Sequence, residues 1–79
     1  MKIIAIDAGN THLRLAKIDT DFLKDIEVVH SDYEKIFVDI EKLQKDENIL
    51  ISIANVVPKA QNLYVELKNK YENVYFCEK

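Results

Sequence analysis

Asp7-Ala8-Gly9-Asn10-Thr11 brings together what a polyphosphate needs: a carboxylate followed by small residues that include the single glycine of the chain. A turn without bulky side chains lets backbone amides and the Thr11 hydroxyl approach phosphate oxygens. Asp7 can meanwhile hold a divalent cation, directly or through water. A plain hairpin turn selects Gly and Asn as well, because both tolerate tight backbone bends. Spacing alone leaves both readings open.

The other residues able to do chemistry have structural explanations. His12 and His30 have no Cys at a ligand spacing, so they read as solvated or edge histidines rather than zinc ligands. Arg14 and Lys17 could lean toward an anion near the turn, but an odd separation along one strand puts them on opposite faces. Tyr64 and Tyr71 fall on the apolar stripe of a helix, where core packing is expected ahead of base stacking. Ser52 sits in an apolar run with no acid or base pattern around it, and its hydroxyl is expected to satisfy a backbone group. Cys77 reads as a small residue near a strand end.

Elements must position these residues, and the hydropathy pattern supplies them. Lys2 to Asp7 is a continuous apolar run that ends in a carboxylate, which predicts a central strand buried on both faces. His12 to Asp19 alternates, as an antiparallel partner would. Thr20 to Asp25 reads as a turn, and Ile26 to His30 as a third strand. Ser31-Asp32-Tyr33-Glu34 matches a capping box and predicts a helix that starts there and ends near Asp46, with Tyr33, Ile36, Phe37, Ile40 and Leu43 on its apolar stripe. Asn48 to Ala54 is a second continuously apolar strand, and Pro58 suits the first position of a second helix carrying Ala60, Leu63, Tyr64, Leu67 and Tyr71 inward. Val74 to Cys77 is the fifth strand. A hairpin start followed by helical crossovers implies an α/β fold, βββαβαβ, with a mixed sheet of order 3-2-1-4-5.

Composition narrows the class. With 79 residues the chain holds a single small domain, 1–79, whose core is thin, since a chain this short buries roughly 60–65% of its unfolded surface. One Gly and one Pro exclude linker-like and collagen-like classes. A net charge of −3 without a Lys/Arg cluster argues against a nucleic-acid partner. The longest uncharged apolar run, Ile49 to Pro58, is about half of what a membrane span needs. A lone cysteine and an N-terminus unlike a signal peptide suggest a cytoplasmic protein.

MKIIAIDAGNTHLRLAKID resembles the opening of type III pantothenate kinases, in the superfamily of acetate kinases, sugar kinases, heat-shock ATPases and actin. Asp7, Gly9, Asn10 and Thr11 match that family's D-x-G-N-T turn position for position. Ile51-Ser52-Ile53-Ala54-Asn55-Val56-Val57-Pro58 is similar, in looser form, to its I-S-S-V-V-P segment. The resemblance implies a ribonuclease H-like N-terminal lobe that binds ATP, with Asp7 for Mg²⁺ and phosphates, Gly9 for close backbone approach, and Asn10 and Thr11 for phosphate contacts. It also admits a monovalent cation such as K⁺. The relatives are two-lobed, and their general base lies in a G-x-D-R segment that does not occur here.

The resemblance therefore implies a chain with no catalytic residue of its own, whose C-terminal lobe is absent and whose nucleotide is held from one side. Phosphoryl transfer depends on positioning and charge stabilisation from several sides, so the chain alone is expected to be inactive. Pantothenate would bind only with a second lobe supplied. The rival expectation is a non-catalytic association domain that self-associates or pairs with a separate C-terminal lobe. Half of an actin-like assembly protein is a third option, disfavoured by the V-V-P segment.

Overall fold

A computed structural model describes residues 2–19, 26–43, 49–54 and 57–77. The elements run β1 (Lys2–Ala8), β2 (His12–Asp19), β3 (Glu27–Asp32), α1 (Ile36–Leu43), β4 (Ile49–Ala54), α2 (Pro58–Lys70) and β5 (Asn73–Cys77). They form a five-stranded sheet in the order β3-β2-β1-β4-β5. The pairs β1–β2 and β2–β3 are antiparallel, and β1–β4 and β4–β5 parallel. This is the expected α/β topology. The expected turn at 20–25, the helix end near Asp46 and the strand start at Asn48 lie outside the described residues.

Both helical crossovers move in the same direction across the sheet, from β3 to β4 and from β4 to β5. Right-handed connections that advance in one direction deposit their helices on one face. Accordingly, a single core joins Ile36, Ile40 and Leu43 of α1 and Ala60, Leu63 and Leu67 of α2 to one row of β1, β2, β4 and β5: Ile4 and Ile6, Leu13 and Leu15, Ile51 and Ile53, and Val74, with Val29 of β3 partly buried against it. Glu41 of α1 and Lys70 of α2 tie the two helices together at the surface, where the ammonium also lies over the rings of Phe37 and Tyr71.

Among the described residues, the opposite sheet face has no helix on it. In β1, Ile4, Ile6 and Ala8 are buried whereas Ile3 and Ala5 are partly covered and Asp7 is exposed; β4 alternates in the same way. Burial of β1 and β4 on both faces, expected from their continuous hydrophobicity, is therefore not what the structure has. The two strands are central, but among the described residues only one of their faces is covered.

The junction from β3 to α1 also differs from expectation. Ser31 and Asp32 still belong to β3, paired with Leu13 and His12, and the capping role falls one residue later than expected. Asp32 takes that part: its Oδ1 accepts the amides of Glu34 at 3.0 Å and Lys35 at 2.8 Å, and a turn at 33–35 leads into α1. The Ser31 hydroxyl instead donates to Asp39 Oδ2 at 2.6 Å. Pro58 opens α2 as expected, after Val57 at the N-cap. No helix among the described residues is long and apolar enough to cross a membrane.

One-sided coverage makes truncations unequal. Ile51→Ala, on the helix-covered face and 0% exposed, should destabilise the chain by about 2–5 kcal/mol. Val28→Ala, on the open face and 51% exposed, should cost less than about 1 kcal/mol. Urea unfolding midpoints of the two variants would reverse this assignment if they fell equally.

Candidate functional site

Asp7 is the penultimate residue of β1, at the end of the sheet where β1, β3 and β4 all finish because the three run parallel. Gly9, Asn10 and Thr11 bridge to β2, and Gly9 N donates to His12 O at 2.9 Å to close the turn. A Cβ on Gly9 would lie 3.0 Å from that same carbonyl, so any other residue would push the strand ends apart. Close approach within the hairpin is thus a sufficient reason for glycine here. Asn10 and Thr11 are exposed. The four residues expected to form the site are together at the end of the sheet.

The Asp7 carboxylate is paired, which the sequence did not indicate. Arg14 stands directly opposite across the β1–β2 ladder, and its Nη2 lies 3.3 Å from Asp7 Oδ2. The two side chains are 57% and 60% exposed, so the pair is screened and contributes at most about 1 kcal/mol. Asp7 can exchange this partner for another cation at little cost, and Arg14, once released, can meet an anion. Lys17 pairs with Ile4 on the helix-covered side and does not share the Asp7 face, as the strand alternation required. Among the described residues no group of three or more His, Cys, Asp or Glu side chains is placed to hold a metal. A divalent ion at Asp7 would take its other oxygens from phosphates and water, the habit of Mg²⁺.

Two further residues join the turn that sequence reasoning did not assign to it. The Tyr33 hydroxyl donates to Gly9 O from 24 residues away. Over the Tyr33 ring, 5.6 Å from its centroid, stands the ammonium of Lys59 in the first turn of α2. Tyr33 read as the first member of the α1 apolar stripe, and its ring does pack against the core. Its phenol reaches the turn because β3, parallel to β1 across the intervening β2, ends at the same end of the sheet, and no local pattern signals such a contact.

The remaining candidates behave as ordinary structure. His12 and His30 are exposed. Tyr64 and Tyr71 pack against the core, Tyr64 edge-on to Phe76 at 5.5 Å. Ser52 lines a shallow depression of about 350 Å³ on the open sheet face, floored by Ala5, Ala16 and Ala54 and bounded by Asp7, Arg14 and Val28. Asn55 and Val56 of the second matching segment lie outside the described residues, as does the side chain of Cys77.

No protein-family model matches the chain, and no curated protein does. Among solved structures, Pelota from Archaeoglobus fulgidus is similar in fold, with a TM-score of 0.61 at 11% sequence identity. The similarity covers 99% of this chain and 26% of the Pelota chain. At that identity the likeness concerns the fold alone.

Burial raises the pKa of the Tyr33 hydroxyl above the ordinary tyrosine value near 10. Burial is also the largest influence on Tyr71, raising it against the opposing pull of Lys70. A pKa raised on folding means the native state holds the proton more tightly. Stability is then fully present below about pH 10 and lost as pH rises beyond it. Urea midpoints measured from pH 8 to 11 should be level at first and then fall, and Tyr33→Phe and Tyr71→Phe should each make the fall shallower.

Proposed function

We propose that the chain is the phosphate-binding lobe of a protein similar to type III pantothenate kinases, holding the polyphosphate of ATP at the Asp7-to-Thr11 turn. The observation that carries this reading is the placement of an exposed, weakly paired carboxylate at the end of central strand β1, immediately before a turn of small residues. In this reading Asp7 orients Mg²⁺, Gly9 keeps the turn tight, and the Asn10 and Thr11 amides and hydroxyl face phosphate oxygens. Arg14, displaced from Asp7 by the metal, contributes positive charge on the same side. Mg-ATP supplies the transferable phosphoryl group, which in a complete two-lobed enzyme would pass to the pantothenate hydroxyl.

The chain contributes one wall of such a site and no general base of the G-x-D-R kind, so binding rather than turnover is the activity to measure. At Mg-ATP about a hundredfold above Kd, stabilisation is about 2.7 kcal/mol, enough to raise Tm by about 10–20 °C for a domain of this size. Asp7→Ala should abolish that rise while moving the ligand-free Tm little, because the Arg14 pair is solvent-exposed. Absence of a rise in the unmutated chain would sink this reading.

A second reading is favoured by the uncovered sheet face. Val28 and Tyr75, 51% and 54% exposed, flank a floor of small residues, and Ile3, Ile18 and Leu50 are only partly covered. An apolar face of this kind suits an association domain, joined to a second copy or to a separate lobe. Sedimentation should show self-association that the double variant Val28→Lys, Tyr75→Lys weakens. A strictly monomeric unmutated chain at high concentration would count against self-association.

A further inference from the structure

We propose that Tyr33 is a positioning residue that aims the Asn10 backbone amide outward as an anion donor. Gly9 O and Asn10 N belong to one planar trans peptide unit, in which the C=O and N–H bonds point in opposite directions. Tyr33 draws the Gly9 carbonyl toward itself through its hydroxyl, so the Asn10 N–H is turned the other way. Without that contact the described tie across the turn is Gly9 N to His12 O, which fixes the preceding peptide unit and leaves the Gly9–Asn10 unit able to rotate.

Tyr33 is well held for the task. Its ring packs against the core, and the chain on its C-terminal side is anchored by Asp32, whose carboxylate takes the Glu34 and Lys35 amides. Lys59, 5.6 Å from the ring centroid, helps hold the ring and keeps a positive charge beside the turn. The contact thus couples three chain segments, the β1–β2 turn, the β3–α1 junction and the first turn of α2, to the direction of one amide. The orienting contact stands on geometry alone; the identity of the anion as polyphosphate rests on the function proposed above.

Nuclear magnetic resonance on the isotope-labelled chain tests both halves. In ligand-free protein, Tyr33→Phe should move the Gly9 carbonyl-carbon resonance upfield, as loss of a hydrogen bond does. Global 3-fluorotyrosine, a stronger donor, should move it the opposite way and needs no variant to fold. On titration with Mg-ATP, and with Mg-tripolyphosphate as a base-free probe, the Asn10 amide proton should shift downfield in the unmutated chain. In Tyr33→Phe that response should be lost, with affinity roughly tenfold weaker. A purely structural role for Tyr33 would lower Tm but leave the Asn10 response at saturation intact, and that result overturns the proposal. An unchanged Gly9 carbonyl in both altered proteins overturns it too. A Gly9 response to Tyr33→Phe with no ligand response anywhere upholds the orienting contact and overturns polyphosphate as the anion.

Discussion

The parallel pairing of β1 with β4 is the constraint on which the remaining arrangement depends. Pairing Ile4 with Ile51 and Ile6 with Ile53 puts two apolar strands side by side at the centre. It also obliges the chain between β3 and β4 to cross over β2 and β1, because β4 lies on the far side of both from β3. The two antiparallel pairings β1–β2 and β2–β3 make β3 run parallel to β1, so the C-terminal ends of β1, β3 and β4 meet at one end of the sheet. The Asp7 turn, the Tyr33 junction and the start of α2 are neighbours for that reason, although they are far apart in the chain.

The same constraint decides where the core can be. Two crossovers advancing in one direction place both helices on one face, so Ile4, Ile6, Ile51 and Ile53 are buried while Ile3, Ala5, Leu50 and Ser52 are only partly covered. Small residues in the middle rows of the open face limit how much apolar surface is left in water: Ala5, Ala16 and Ala54 expose far less than leucines would. The fold thus tolerates an open face at the cost of a thin core. Asp7 and Arg14, at the polar end of that face, are exposed and weakly paired.

Within the turn, the physical theme is peptide orientation. Gly9 is needed because the hairpin closes so tightly that a side chain would meet the His12 carbonyl. That explanation is local and independent of any ligand. The Tyr33 contact is different in kind, since a hairpin does not require a phenol from a distant segment to close. It adds definition to the Gly9–Asn10 peptide unit at the exposed Asn10, and definition of that sort is what an anion-binding turn uses.

The sequence by itself determined the elements, their order and the location of the Asp7-to-Thr11 turn. Alternating and continuous hydrophobicity, Pro58 at the start of α2 and the run of small residues at Ala8 to Thr11 act through local backbone preferences, which composition and period express directly. The strand order followed too, because few topologies satisfy short hairpins and right-handed crossovers at once. Only the tertiary structure decided which residues act on the turn and which face is covered. Continuous hydrophobicity in β1 could not distinguish one covered face from two, since residues such as Ala5 and Ser52 are tolerated in either setting. The capping box at Ser31 was locally plausible, but in the fold the Ser31 hydroxyl bonds Asp39 and the Asp32 carboxylate takes the cap. Arg14 opposite Asp7 and the Tyr33 phenol on Gly9 depend on strand register and on the parallel return of β3, and contacts of that kind carry no local signature.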